Sequence, residues 1–342
     1  MNQARPLVVR VGALISDPEP ERRLIDEAGG ELRMVDGKDP AATLAALRDA
    51  QIIINAGGVQ FTAELIAQLP ACQAVIQNSV GYDRIDVKAA TARDVMVANL
   101  PDYCIEEVSD HAVTLVLASA RRLPRQEKVV REGRWGKAGE RPAREIIGPV
   151  NRLSECTLGI VGFGNIGRLV ARKTRGIFAR LIAADPYVKP ETAAQHGVAL
   201  LPLDDVLREA DYVTLHVLLT EETRHLIDAA RLALMKPTAF LVNTCRGPIV
   251  DEAALIAALR AGKLAGAGLD VFEREPIGAD HPLAAFDNVI LTPHLAVYSE
   301  TAMEHWRTDP FEDAARILKG YYPRGLINRE LKGRLGRQET PG

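Results

Sequence analysis

Cysteine is scarce in this chain: four in 342 residues, at Cys72, Cys104, Cys156 and Cys245, with no Cys-x-x-Cys pair. Such spacing argues against a disulfide framework or a zinc ribbon and suits a reducing compartment, so a cytoplasmic location is expected. Histidine is equally uninformative about metals, because His196, His225, His281 and His305 fall at no ligand spacing, and no metal is expected. Charge of one sign is lacking too: the formal net charge is −3, which leaves no electrostatic footprint for nucleic acid or an anionic membrane. No stretch approaches the roughly 18 apolar residues of a membrane span. The opening run LVVRVGALI is short, contains Arg10 and lacks a small-residue cleavage site; it reads as a first strand, not a signal peptide. Solenoid repeats and low-complexity tracts are absent.

What remains is ordinary globular material, 47% apolar and 25% charged, in a chain long enough for two domains with real cores. Apolar runs of strand length alternate with amphipathic segments nearly throughout, the pattern of an α/β protein with parallel sheets. In the first hundred residues, strands are expected at LVVRVGAL, ELRMV, QIIIN, QAVIQ and VMVAN. PAATLAALRDA and TAELIAQL supply helices between them. A long helix follows, startable at Asn99, Pro101 or Asp102, with Glu106 and Glu107 in its first turn and Pro124 interrupting it near Arg121-Arg122. His111 on this helix reads as structural and Trp135 as a packing anchor. Residues 136–152 lose periodicity and read as a loop. A second series places strands at TLGIVGF, ARLIAAD, YVTLHV, AFLVNT, GAGLDVF and NVILTPH. The tail SETAMEHWRTDPFEDAARILKG is helical, with Pro310 expected to kink or break it.

The first chemical motif is GIVGFGNIG. Gly162, Gly164 and Gly167 form G-x-G-x-x-G after a strand and at the mouth of a helix, which Asn165 and Ile166 open. The first glycine permits the tight turn, the second a close approach to pyrophosphate, and the third close helix–strand packing. The helix N-terminus offers unpaired amides to phosphates. Asp185 ends the next strand, where a carboxylate accepts both adenosine ribose hydroxyls and repels a 2′-phosphate, so NAD is expected over NADP.

Strand C-termini of the second series supply His216, Thr244, Arg246, Asp270, Glu275 and His294, and this end of an open α/β sheet is where ligands bind. An arginine can grip a carboxylate in bidentate fashion. A histidine titrates near neutrality and can give or take a hydroxyl proton. A neighbouring carboxylate keeps the imidazole oriented and favours its protonated form. Cys245, beside Arg246, reads as a small residue in a packed turn and not as a nucleophile.

Motifs spread over nearly the whole chain resemble the D-isomer-specific 2-hydroxyacid dehydrogenase family: NSVGYDRID, NLPDYCIEEVSDHA, GIVGFGNIG with Asp185, LHVLLTEETRHLI, LVNTCRGPIVDEAAL, LDVFEREP and LTPH. The segments PDYCIEEVSDHA and LAVYSE resemble the branch containing the C-terminal binding protein corepressors. The resemblance implies two Rossmann-like domains with a cleft between them. A flavodoxin-like substrate domain would use residues 1–99 plus 300–342, and an NAD-binding domain residues 100–299. It implies Arg246, Glu275 and His294 as the catalytic trio, with His294 the acid/base, Glu275 its partner and Arg246 on the substrate carboxylate and carbonyl. Val80 and Gly81 would offer backbone amides to that carboxylate. His216 and Thr244 would line the cofactor pocket, and Asp270 would touch the nicotinamide carboxamide. The expected activity is reversible hydride transfer between NAD(H) and a small 2-keto or 2-hydroxy acid by a homodimer. The alternative is an NADH-sensing, corepressor-like interaction protein. The loop Ala56–Gln60 carries no arginine or lysine, which disfavours a phosphorylated substrate.

Overall fold

The computed structural model describes residues 5–135 and 143–339. The chain forms two compact units, Met1–Tyr103 with Ser299–Gly342, and Cys104–Tyr298.

The first unit contains a parallel sheet of five strands, β1 (Leu7–Gly12), β2 (Glu31–Val35), β3 (Ile52–Ala56), β4 (Ala74–Gln77) and β5 (Met96–Ala98), in the order β2-β1-β3-β4-β5. This is the flavodoxin order, and helices cover both faces, which is why the strands read as continuous apolar runs. All six residues of β1 are buried, Arg10 among them. One face packs on the tail helix Glu300–Leu318, which delivers Phe311, Ala314, Ala315 and Ile317 to the core. Pro310 does not break that helix: it lies buried inside it, and packing of its apolar neighbours outweighs the one hydrogen bond it cannot donate.

The second unit holds a seven-stranded parallel sheet: β6 (Thr157–Val161), β7 (Arg180–Ala184), β8 (Ala199–Leu200), β9 (Tyr212–Leu215), β10 (Phe240–Asn243), β11 (Gly266–Leu269) and β12 (Val289–Leu291). Their order, β12-β11-β10-β9-β6-β7-β8, reverses direction between β6 and β9. The C-terminal ends of those two strands therefore flank the crevice where an open α/β sheet takes its ligands.

The long helix starts later than expected and is interrupted where expected, near Arg121-Arg122. It begins at Ile105, with Glu106 and Glu107 in its first turn, and runs to Ala120. The break falls at Arg122, in the left-handed conformation (φ 53°), and Pro124 occupies the first turn of the next helix, Leu123–Arg131, where its missing N–H costs nothing. Of the expected loop, residues 136–142 lie outside the described residues, Ala143–Ile147 form a short helix, and a 3₁₀ turn, Leu153–Glu155, follows it. Trp135 is 73% exposed, so it is no packing anchor within this chain.

Candidate functional site

At the end of β6 the chain turns through Gly162 (φ +90°), where a Cβ would stand 2.4 Å from the His216 carbonyl oxygen. Gly167, inside the helix Asn165–Thr174, leaves no space either: a Cβ there would meet the Gly162 carbonyl oxygen at 2.2 Å. Gly164 caps the helix with nothing within 4 Å of its own Cβ position, so a ligand can approach its backbone. The helix's first bond runs from Arg168 N–H to Gly164 O (3.0 Å), which leaves the amides of Ile166 and Gly167 without an intrahelical acceptor. Asp185, just beyond β7, accepts from Phe163 N–H and Tyr187 N–H, each at 2.8 Å, and so stands fixed beside the loop.

Two buried polar atoms line the adjoining strand ends. His216 Nδ1 and Thr244 Oγ1 have no hydrogen-bond partner among the described residues, although His216 Nε2 lies 3.0 Å from Thr214 Oγ1. Buried polar atoms are seldom left unpaired without a functional reason. Burial pushes the His216 pKa down to about 3, so this imidazole is neutral at working pH and does no acid–base chemistry. A glycine cradle at a helix N-terminus, a fixed carboxylate and two orphaned polar atoms fit a dinucleotide's phosphates, ribose and nicotinamide end.

Beyond β10, Asn243 shapes the next turn: its side chain accepts from Cys245 N–H (3.1 Å) and donates to Arg246 O (2.9 Å). Burial raises the Cys245 thiol to about 11, which removes it as a nucleophile at neutral pH. Neighbouring strands β11 and β12 deliver the other two groups. His294 Nδ1 lies 2.6 Å from Glu275 Oε2, and Glu275 Oε1 accepts from Phe272 N–H at 2.9 Å. Burial raises the Glu275 carboxyl pKa, but the His294 and Phe272 hydrogen bonds, with the charges of His294 and Arg246, outweigh it and hold the value below the ordinary carboxylate range.

His294 itself sits in the left-handed region (φ 55°), an uncommon conformation for a residue with a side chain. Asp270 holds it there. The Asp270 carbonyl accepts from His294 N–H (2.9 Å), and its buried carboxylate accepts from Thr292 Oγ1 (2.6 Å), Leu295 N–H (3.1 Å) and Ala296 N–H (2.9 Å). His111 joins the same cluster through Thr292 Oγ1, at 3.0 Å. Thr292 lies within the LTPH motif, but no spacing in the sequence indicated this anchoring of the histidine loop.

In the first unit, the turn after β4 is ordered from behind. Four successive carbonyls are bound by the protein: Asn78 O by Trp306 Nε1 (3.0 Å), Ser79 O by Leu100 N–H (3.1 Å), Val80 O by Asn99 Nδ2 (2.6 Å) and Gly81 O by Ser79 Oγ (2.7 Å). Asn55 and Gln77 continue the network, Asn55 Nδ2 donating to Gln77 Oε1 (3.0 Å) and Gln77 Nε2 to Ser79 Oγ (3.2 Å). The amides of Val80 and Gly81 make no hydrogen bond among the described residues. Oriented amides with tied-back carbonyls make a concavity for an anion. The polar ends of the apolar runs QIIIN and QAVIQ were the available signal for Asn55 and Gln77. Asn99 and Trp306 carried none. Among the described residues, no group of three or more His, Cys, Asp or Glu could hold a metal ion.

Residues 113–296 match the model of the D-isomer specific 2-hydroxyacid dehydrogenase NAD binding domain. The chain is 40% identical over 298 residues to D-3-phosphoglycerate dehydrogenase of Mycobacterium tuberculosis, covering 87% of this chain and 55% of that protein, so it spans about half the length of that relative. It is 40% identical over 285 residues to glyoxylate reductase of Korarchaeum cryptofilum, with 83% and 85% covered. Among solved structures, D-lactate dehydrogenase from Aquifex aeolicus complexed with NAD and lactic acid superposes with a TM-score of 0.80 at 30% identity, covering 92% of this chain and 96% of that one.

Proposed function

Because the chain belongs to the D-isomer-specific 2-hydroxyacid dehydrogenase family, we propose that it interconverts a small 2-keto acid and its 2-hydroxy acid with NAD(H). The observation that carries this reading is the 2.6 Å pair of His294 and Glu275, with Arg246 near enough for its charge to act on Glu275. NAD, when bound, supplies or accepts the hydride at substrate C2. The residues do the rest. Glu275 stays anionic and holds His294 through Nδ1, so Nε2 is the nitrogen that gives the proton to the new hydroxyl on reduction and takes it on oxidation. Arg246 grips the substrate carboxylate and polarises the C2 carbonyl. Val80 and Gly81 add two amide donors for the carboxylate, and neutral His216, with Thr244, lines the cofactor pocket. Asp270 serves first to hold the His294 loop.

The same reading makes the unit with the seven-stranded sheet the cofactor domain and the other the substrate domain. Asp185 argues for NAD over NADP, since its carboxylate would repel a 2′-phosphate. Exposed Leu123, Val130 and Trp135 (55%, 59% and 73% exposed) on and after one helix suit a homodimer contact. The loop Ala56–Gln60 has no basic side chain of its own, yet Arg84 Nη1 reaches the Gly58 carbonyl at 3.4 Å. A phosphorylated keto acid therefore belongs in the substrate panel beside glyoxylate, hydroxypyruvate, pyruvate and branched or aromatic keto acids.

The test is NADH oxidation by purified protein against that panel, with His294→Asn as control. One keto acid should be turned over far faster than the rest. The variant should lose roughly a hundred- to ten-thousandfold in kcat, the usual worth of a positioned acid–base group. Tight NADH binding with no turnover of any keto acid would overturn the reading and favour a cofactor-sensing role.

A further inference from the structure

Glu275 can orient His294 only if its own backbone is held, yet no helix or strand runs between Leu269 and Pro282, and Glu273–Pro276 are exposed. Core packing secures the two ends of this stretch, at Phe272 (6% exposed) and Leu283 (fully buried). Between them the structure places two imidazole–carboxylate pairs. His225 Nε2 lies 2.6 Å from Glu273 Oε1, two residues before Glu275. At the far end, His281 Nε2 lies 3.1 Å from Glu252 Oε1, while Glu252 Oε2 accepts from Glu273 N–H at 3.3 Å. One carboxylate thus touches both ends of the stretch.

The hydrogen bonds also fix the roles. His281 Nδ1 accepts from Leu283 N–H (3.3 Å), so the ring proton sits on Nε2 and is donated to Glu252. Glu252 opens the helix Glu252–Arg260, where the macrodipole favours a negative charge. His225 occupies the left-handed region (φ 51°), a conformation that suits glycine better than histidine. Its N–H donates to Pro248 O at 2.8 Å, which ties the same imidazole-bearing residue to the turn that follows Arg246.

We propose that Glu252, with His225 and His281, is a positioning residue: together they clamp the 273–281 stretch so that Glu275 stays in register with His294. None of the three touches reacting atoms; they act through Glu275. The inference rests on the dehydrogenase reading for its catalytic consequence, but not for the clamp itself.

Two measurements on the full-length protein test it. The first is hydrogen–deuterium exchange of residues 273–281, in wild type and in Glu252→Ala, Glu252→Gln and His225→Gly. The second is kcat and KM for the keto acid that the panel singles out. In Glu252→Ala, exchange in this stretch should accelerate about tenfold, as expected for a local opening freed of two hydrogen bonds. kcat should fall about tenfold or more with KM within about twofold, since a small misplacement of a catalytic group is felt in the chemical step. Glu252→Gln should lie between, because one amide oxygen can serve only one of the two donors. His225→Gly relieves the backbone, so its melting temperature should hold while exchange near Glu273 rises. Wild-type exchange in both Glu252→Ala and His225→Gly would overturn the clamp, and faster exchange with unchanged kcat would overturn its catalytic role. Exchange needs no turnover, so a wild type silent toward every keto acid would count against the dehydrogenase reading while exchange alone still decides the clamp.

Discussion

At the scale of single residues, the proposed chemistry depends on one charge. Glu275 is held below the ordinary carboxylate range, so it is anionic at neutral pH and gives His294 Nδ1 a charged partner at 2.6 Å. Glu275→Gln keeps the shape and removes that charge. The high-pH limb of the reduction rate should then move to lower pH, read from kcat/KM across the neutral range; an unmoved limb would contradict the partnership. The linkage has the same sign. Because the folded pKa is depressed, the contribution of Glu275 to stability is present above its unfolded value and lost as pH falls through the folded one. Arg10 illustrates the opposite case, a charge the fold tolerates. Burial pushes its pKa down to about 10 against the pull of Glu21, its nitrogens have no hydrogen-bond partner among the described residues, and its guanidinium carbon lies 5.1 Å from the Trp306 ring centroid. Arg10→Met should raise stability by about 1–4 kcal/mol in urea unfolding, the range seen when buried charge gives way to apolar volume. Glu21 would keep Arg307 as its partner, at 2.5 Å. A fall in stability would show that Glu21 and the indole compensate the buried cation.

Elements place these residues, and a tight one is the turn from β6 into the helix Asn165–Thr174. Gly167→Ala would drive a methyl group against the Gly162 carbonyl oxygen, 2.2 Å away, and prise the helix from the strand at the nucleotide loop. A cost of about 1–3 kcal/mol is expected for such overpacking, and NADH affinity should fall with it, measured by fluorescence titration. Unaltered binding would mean that the loop does not cradle the cofactor. This turn was legible in the sequence because each glycine answers a local demand. So were most strands, since burial on both faces of a parallel sheet writes continuous apolar runs. β8, two residues long, was too short to show any period. The tail helix crosses Pro310 because its neighbours Phe311 and Ala314 are buried, a tertiary fact that no local rule contains. The turn at Val80 was legible only as a motif. Its support comes from Asn99, 19 residues on, and Trp306, 228 residues beyond Asn78, and spacing in the chain does not reveal such partners. The clamp on Glu275 was hidden for the same reason: His225 and His281 fall at no ligand spacing, and nothing in the chain's order pairs them with Glu273 and Glu252.

For the whole molecule, the decisive feature is that one unit is continuous and the other is not. The chain leaves the first unit at Tyr103, completes the second, and returns at Ser299. The returning tail supplies seven of the sixteen buried residues in one of the two clusters packed on the five-stranded sheet, from Phe311 to Leu331. Among the described residues, the second unit's core clusters contain none of that tail. Stability need not be lost evenly, and two-state behaviour is not expected of two compact units. Phe311 is fully buried, and Phe311→Ala should cost about 3–5 kcal/mol. Against a typical total of about 5–15 kcal/mol for a domain, that is enough to lower one melting transition by many degrees. The other transition, recognised by its rise on adding NADH, should stay where it is. Keto-acid turnover should disappear at the lower transition while NADH binding survives to the higher one. If both transitions fall together, the two units unfold as one cooperative body and the tail is part of the cofactor domain's stability as well.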